Sequence, residues 1–305
     1  MLKILITGSN GFVGRHLINL LSTEKHDIHI FTSVKSKSHN AFNVDPQDSI
    51  TIKKIINKIK PDHIYHLAGS TTNDKKLSHI INYEYCKNII YGINHLNSVK
   101  KTKLLVLGSA AEYGNIRDFE LPVSEKMNPN PYSIYGINKF RQTNLVLNFS
   151  KFYSLQSVVL RPFTLLGIGM PSHLAIGNFE KQLLNIYKNN SQPIITCGNL
   201  ENYRDYIDVN DFVKIMYQVM IESKTTGEVI NVCSGIPVKI GDILDYMIQS
   251  IGLPIIKSVS INHLREFDMP VHYGSNKKLK LILKINEFKD WKSSIDQIIS
   301  NIKAV

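Results

Sequence analysis

The chain opens on Leu2-Lys3-Ile4-Leu5-Ile6, a short apolar run that ends in Thr7-Gly8. A run of this length closed by a turn residue is the pattern of a parallel strand buried on both faces. A helix is expected from about Gly11. Similar runs recur at Ile28 to Thr32, His63 to Ala68, Lys103 to Gly108 and Ser157 to Arg161. Helical patterns separate them near Ile50 to Ile59, His79 to Val99 and Tyr132 to Phe152. The alternation predicts an α/β fold with a doubly wound parallel sheet.

After Pro162 the alternation loosens. Gly167, Gly169 and Pro171 cluster in a loop, and a helix is expected around Asn178 to Asn189. Glu228 to Val232 again reads as a buried strand, with Ser234 and Gly235 as its turn. The expected division is a first unit over 1–162, rejoined by a segment at about 202–235, and a smaller C-terminal α/β lobe from 163–201 and 236–305.

Length and composition agree with this picture. A chain of 305 residues with 43% hydrophobic content can bury one large α/β core. No run approaches the roughly 20 apolar residues of a membrane span, and Lys3 interrupts the apolar start. The expectation is a cytoplasmic protein without a membrane partner. Cys86, Cys197 and Cys233 lie far apart without metal-ligand spacing, so neither a metal site nor a disulfide framework is expected. The net charge of +11 comes from dispersed lysines with no nucleic-acid recognition motif, and an anionic small-molecule substrate accounts for it more simply.

The first loop carries the chemistry of anion binding. Gly8-Ser9-Asn10-Gly11-Phe12-Val13-Gly14 places glycines at spacings of three and three directly after a strand. Such a loop supplies a tight turn, a close backbone approach to a pyrophosphate and a helix N-terminus with free N–H groups. The spacing departs from Gly-x-Gly-x-x-Gly. Thr7-Gly-x-x-Gly-Phe-Val-Gly instead resembles the extended short-chain dehydrogenase/reductases, also described as NAD-dependent epimerases and dehydratases.

That resemblance implies a Rossmann-type dinucleotide domain held by Gly8, Asn10, Gly11, Phe12, Val13 and Gly14. Asp45 and the turn Leu67-Ala68-Gly69 resemble the family's adenine and ribose contacts. The second strand ends in Thr32-Ser33-Val34-Lys35, with no acid for an adenosine ribose. Thr32, Ser33 and Lys35 suit a 2′-phosphate, so NADP is expected over NAD.

Tyr135 and Lys139 are four apart on a predicted helix, which puts both side chains on one face. An ammonium near a tyrosine favours the ionised hydroxyl and brings it towards acid/base use. Ser109 ends a predicted strand, where its hydroxyl can hold a substrate oxygen beside that tyrosine. Tyr83 and Lys87 share the spacing but lack the upstream serine. The family resemblance assigns Ser109, Tyr135 and Lys139 as the catalytic set, in which Tyr135 would protonate a carbonyl oxygen as hydride reaches its carbon.

The resemblance extends over nearly the whole chain. Tyr203-Arg204-Asp205-Tyr206-Ile207-Asp208-Val209 and Leu264-Arg265-Glu266-Phe267-Asp268-Met269-Pro270 look like the family's two arginine-bearing diphosphate sites. An arginine fork suits phosphate oxygens. Thr164, His173, Asn178, Arg204 and Arg265 are the substrate-side candidates, and a nucleotide-linked keto sugar is the substrate class implied.

Family members that eliminate water across C5 and C6 place Asp and Glu one and two residues after the catalytic Thr or Ser. This chain has Ala110 and Ala111 there. The 3,5-epimerase/reductases carry a cysteine at the position of Ala111, with a second acid histidine for which His173 is the counterpart. Carbonyl reduction and 4-epimerisation through a transient ketone remain. Gly198-Asn199-Leu200-Glu201, Asn231-Val232-Cys233-Ser234-Gly235 and Gly274-Ser275-Asn276-Lys277 look closest to the GDP-4-keto-6-deoxy-D-mannose reductases, which form GDP-rhamnose. Arg161-Pro162-Phe163-Thr164-Leu165-Leu166 lacks their polar continuation, so a GDP-linked 6-deoxy-heptose is a variant substrate. A reductase must exchange its spent cofactor for NADPH, which agrees with the second strand. A dinucleotide-binding sensor or scaffold without turnover is the alternative of another class. The resemblance also implies a homodimer through the helices near His79 to Val99 and Tyr132 to Phe152.

Overall fold

The computed structural model describes residues 1–32, 40–95, 102–260 and 269–304. Strands β1 (Lys3–Thr7), β2 (Asp27–Thr32), β3 (Ala41–Asn43), β4 (His63–His66), β5 (Lys103–Leu107), β6 (Gln156–Pro162) and β10 (Glu228–Val232) form one sheet in the order β10-β6-β5-β4-β1-β2-β3. Every pairing in it is parallel.

Helices cover both faces, which is why the strands read as apolar runs and not as alternation. Helices α1 (Phe12–Ser22) and α7 (Val209–Ile221) bury Leu17, Leu21, Phe212 and Met216 against Ile4, Ile6, Leu105 and Leu160. On the other face α2 (Ser49–Ile59), α4 (Tyr85–Asn94) and α5 (Ile134–Tyr153) bury Ile52, Ile56, Ile89, Ile90 and Val146 against Leu5, Ile64 and Leu104. Each such Ile or Leu contributes about 1.5–3 kcal/mol on full burial.

Short polar caps set where these helices begin. The Asp48 carboxylate accepts the Thr51 N–H at 2.9 Å before α2, and the Ser133 hydroxyl accepts the Gly136 N–H at 3.0 Å before α5. Helix α3 (Lys75–His79) runs into a π-helical turn over Ile80–Glu84 and then α4. The bulge turns Asn82 inward, where it donates to Ser70 O at 2.7 Å and accepts from Ser70 N at 3.0 Å. The loop after β4 is thereby pinned.

A second sheet is assembled from distant segments. Strand β9 (Tyr203–Asp208) pairs with β7 (Thr164–Leu166), β11 (Pro237–Lys239) and β13 (Val271–His272). Strands β8 (Ile194–Cys197) and β12 (Ile256–Val259) pair separately. Helices α6 (Ala175–Tyr187), α8 (Ile240–Ile251) and α10 (Trp291–Lys303) enclose a further core with Phe179, Leu183, Leu244, Met247, Ile295 and Ile298.

The segment 202–235, expected to return to the large sheet, divides between the two sheets. Strand β9 stays in the second, while α7 and β10 join the first. The crossing occurs at Asp208, whose carboxylate caps Asn210 N at 2.8 Å and accepts from Ser294 Oγ at 2.6 Å. Helix α9 (Lys277–Leu283), in the stretch assigned to the C-terminal lobe, places Leu279 in the core of the large sheet. Among the described residues no helix is long and apolar enough to cross a membrane.

Candidate active site

The C-terminal ends of the parallel strands gather the glycine loop, the turn after β4 and the turn after β5, which is where open α/β sheets bind ligands. Gly11, at the start of α1, has no side-chain cap, so the first N–H groups of the helix face the loop unpaired by a side chain. Gly8 has φ of +70°, and a Cβ on it would lie 2.7 Å from Ala68 N. A Cβ on Gly14 would overlap Gly8 O and lie 2.7 Å from Ser9 Cα. The cradle exists only without those side chains. Ala68 N and Leu67 N donate to Thr7 Oγ1 and Thr7 O, both at 3.2 Å, which locks the β1 and β4 turns together.

These features fit a dinucleotide: an uncapped helix N-terminus, a loop with no Cβ at Gly8, Gly11 and Gly14, and Gly69 beside the Lys139 ammonium. Asn10, Phe12 and Val13 lie on this loop and first turn. Thr32 is buried at the end of β2. Asp45, exposed after β3, accepts the Gln47 N–H at 2.9 Å. Ser33 and Lys35 lie outside the described residues.

Ser109, Tyr135 and Lys139 come together beside that edge. Ser109 follows β5 in extended conformation, and its hydroxyl accepts the Ala111 N–H at 3.1 Å. Tyr135 stands on the first turn of α5, close enough for the Ser109 hydroxyl to act on its phenol. Lys139, one turn on and buried, donates to Leu107 O at 2.8 Å and to Gln142 Oε1 at 3.2 Å. A Cβ on Gly69 would lie 3.3 Å from its Nζ. Tyr83 and Lys87 stand apart: Tyr83 stacks on His79 and Lys87 faces the Tyr91 ring.

The proton inventory differs from the expectation of a tyrosine lowered by its lysine. Burial pushes the Tyr135 hydroxyl up to about 12, opposed by the Ser109 hydrogen bond and reinforced by the Glu112 charge. The Lys139 ammonium is aimed at Leu107 and Gln142, and burial lowers it to about 8. Desolvation is the leading cause of both shifts, and neither group counts among the causes of the other's. Tyr135 is thus a neutral phenol, set up to give a proton.

Two adjoining cavities open from this point. The inner one, about 220 Å³, is lined by Ser109, Ala110, Ala111, Tyr132, Thr164 and Arg204, together with His272. The outer one, about 210 Å³, shares Thr164 and Arg204 and adds His173, Asn178, Asn199 and Tyr206. Arg204 therefore stands at their junction, its Nη1 donating to Tyr203 O and Met269 O at 2.8 Å each. His173 Nε2 lies 3.4 Å from Thr71 Oγ1, across from the β4 turn. Arg265 lies outside the described residues.

The turn after Ser109 offers the inner cavity two methyl groups. Glu112 is wholly buried and ion-paired with Arg161 at 2.7 Å, directed away from the cavity.

The model of the NAD dependent epimerase/dehydratase family matches residues 4–233. The chain belongs to that family. A GDP-6-deoxy-D-talose 4-dehydrogenase of Aggregatibacter actinomycetemcomitans is 30% identical, covering 92% of this chain and 91% of that one. A GDP-6-deoxy-D-mannose reductase of Pseudomonas aeruginosa is 24% identical over 84% and 83% of the two chains. The structure of RMD from Pseudomonas aeruginosa complexed with NADPH superposes with a TM-score of 0.88 at 21% identity, covering 100% and 99%.

His272 and Tyr132 line the inner cavity with no motif to mark them in the sequence, whereas Asn199 of the Gly198-Asn199-Leu200-Glu201 motif lines the outer one. The His272 ring packs tilted against Phe163 with centroids 4.9 Å apart, and its Nε2 is buried without a hydrogen-bond partner among the described residues. Burial, then the Arg204 charge, lowers it to about 4, so it is a neutral imidazole. A two-residue strand has no periodicity to mark it, and only the pairing of β13 with β9 sets His272 opposite Arg204.

Proposed function

We propose that this enzyme reduces the 4-keto group of a nucleotide-linked 6-deoxy sugar with NADPH. GDP-4-keto-6-deoxy-mannose, or a GDP-6-deoxy-heptose analogue, is the substrate this reading favours. The observation that carries it is Ser109 in the wall of the inner cavity beside Ala110 and Ala111, with Tyr135 held behind it as a neutral phenol. Those methyls move no proton, so elimination has no acid or base there, whereas reduction asks only for a proton donor. The names of the two relatives, both of GDP-6-deoxyhexose enzymes, support the nucleotide and the sugar class.

The dinucleotide, held by Gly8 to Gly14 and by the Leu67-Ala68-Gly69 turn, supplies hydride to the carbonyl carbon when bound. Ser109 donates a hydrogen bond to the carbonyl oxygen and polarises it. Tyr135 transfers its proton to that oxygen, closing the reduction to a secondary alcohol. Lys139, charged beneath Gly69, offsets the negative charge left on the phenolic oxygen. Arg204 meets the diphosphate where the two cavities join, with Thr164, His173 and Asn178 lining the path outward; Arg265 completes this set in the proposal.

A panel of nucleotide-linked 4-keto sugars, incubated with NADPH, tests this. Loss of the reduced nicotinamide absorbance with a ketosugar alone is expected. Interconversion of sugars with no net oxidation would replace the reading with 4-epimerisation, a reduced product inverted at C3 and C5 would replace it with 3,5-epimerisation and reduction, and tight retention of NADP without turnover would replace it with a sensor or scaffold.

The same reading includes a cytoplasmic homodimer. The α4 and α5 faces support it, since Tyr91 and Ile137 are exposed there. A solution mass twice that of the 34.7 kDa chain is expected, and a monomeric mass at micromolar concentration would overturn it.

A further inference from the structure

We propose that Glu112 is the positioning residue of the Ser109 hydroxyl, its carboxylate bridging the Ser109 backbone amide and the Arg161 guanidinium. The proposal rests on the reading of Ser109 given above and extends it to a residue that never reaches the cavity.

The side chain is placed on both sides. Its Oε1 accepts the Ser109 N–H at 2.9 Å, and its Oε2 accepts Arg161 Nε at 2.9 Å and Nη2 at 2.7 Å. Ser109 in turn accepts the Ala111 N–H, so the pair forms a reciprocal capping box over the turn 110–112. Arg161 is held independently: it lies on β6, is 3% exposed, and its guanidinium sits 4.7 Å from the centre of the Tyr113 ring. Tyr113 donates to Asn231 Oδ1 at 2.6 Å on β10. The turn that carries Ser109 is thus tied to two neighbouring strands.

Gly108 marks the same design. A Cβ there would overlap Glu112 Oε1, so the carboxylate reaches the Ser109 amide only because residue 108 has no side chain. A fully desolvated ion pair is a weak source of stability compared with apolar packing, and its attested use is to fix geometry. Here the geometry fixed is that of the hydroxyl beside Tyr135. Displacing a catalytic hydroxyl by about 1 Å costs roughly 10²-fold in rate. The loss falls on kcat, because Glu112 touches neither nucleotide nor sugar.

The test uses the full chain with Glu112→Ala, Glu112→Gln, Ser109→Ala and the Ser109→Ala/Glu112→Ala pair. Amide hydrogen exchange at Ser109 needs no substrate. It is expected to quicken about tenfold or more in Glu112→Ala and by less in Glu112→Gln, whose single oxygen can meet the amide or Arg161 but not both. In the ketosugar assay Glu112→Ala is expected to lose roughly 10²-fold in kcat, with KM within about threefold, and Glu112→Gln to fall between it and the parent chain. The double variant is expected to be no slower than Ser109→Ala alone. If Glu112→Ala does not fold, Glu112→Asp, one methylene shorter, takes its place with the same expectations. Unchanged exchange at Ser109, or losses that multiply in the double variant, would overturn the proposal. Wild-type turnover in Ser109→Ala would instead overturn the role given to Ser109, while the exchange rates still judge Glu112.

Discussion

Tyr135→Phe is expected to lower kcat for ketosugar reduction by roughly 10²–10⁴-fold, the contribution of a positioned general acid. Affinity for NADPH is expected to change by less than about twofold. The phenyl ring keeps its place on the first turn of α5, capped by Ser133, and only the hydroxyl facing Ser109 is removed. The pH profile separates the two proton-bearing groups. Tyr135, held at about 12, stays protonated through the ordinary assay range. Lys139, lowered to about 8 by burial, is charged below that pH and loses its charge above it. Turnover is therefore expected to be flat at neutral pH and to fall as pH rises through about 8. The residual rate of Tyr135→Phe should show no such dependence, since no phenolate remains to be offset. Normal turnover in that variant would remove Tyr135 from the reaction.

Gly14→Ala is the second large effect. The new Cβ would overlap Gly8 O and press on Ser9 Cα at 2.7 Å, and both obstacles are backbone. Relief requires moving the loop, at an overpacking cost of about 1–3 kcal/mol. The moved loop is the one proposed to present its N–H groups to the pyrophosphate, so NADPH affinity is expected to weaken roughly 10²-fold, equivalent to about 2.7 kcal/mol. Gly252→Ala is the control. Nothing lies within 4 Å of its Cβ, although its φ of +77° still carries strain. It should lose stability with NADPH affinity unaltered, as titration calorimetry on both variants can measure. Equal NADPH affinity in Gly14→Ala and the parent chain would mean that the pyrophosphate is not held at this loop.

The sequence alone determined six of the seven strands of the large sheet, because strands covered by helices on both faces read as apolar runs, whereas the three-residue β3 left no such run. It also determined the glycine loop, where Gly8 and Gly14 exclude a side chain, and the placement of Tyr135 and Lys139 on one face of α5, since a helix brings residues four apart to the same side. Strands β7, β11 and β13 were not legible. They are two or three residues long, and their partner β9 lies far away in the chain, so no local period records the pairing. The same holds for His272, which meets the inner cavity through that pairing alone.

Charge states were decided only by the tertiary structure. Spacing implied a tyrosine lowered by its lysine, but burial depends on what packs around both groups, and the surrounding core raises Tyr135 and lowers Lys139. Glu112 makes the same point. In sequence it is an acid one place too late for elimination; in the fold its partner Arg161 comes from a different strand, 49 residues away, and the pair braces the turn that carries Ser109. Sequence specifies a group's chemistry and its local face, whereas the free energy of its charged form is set by neighbours that only the folded chain brings within reach.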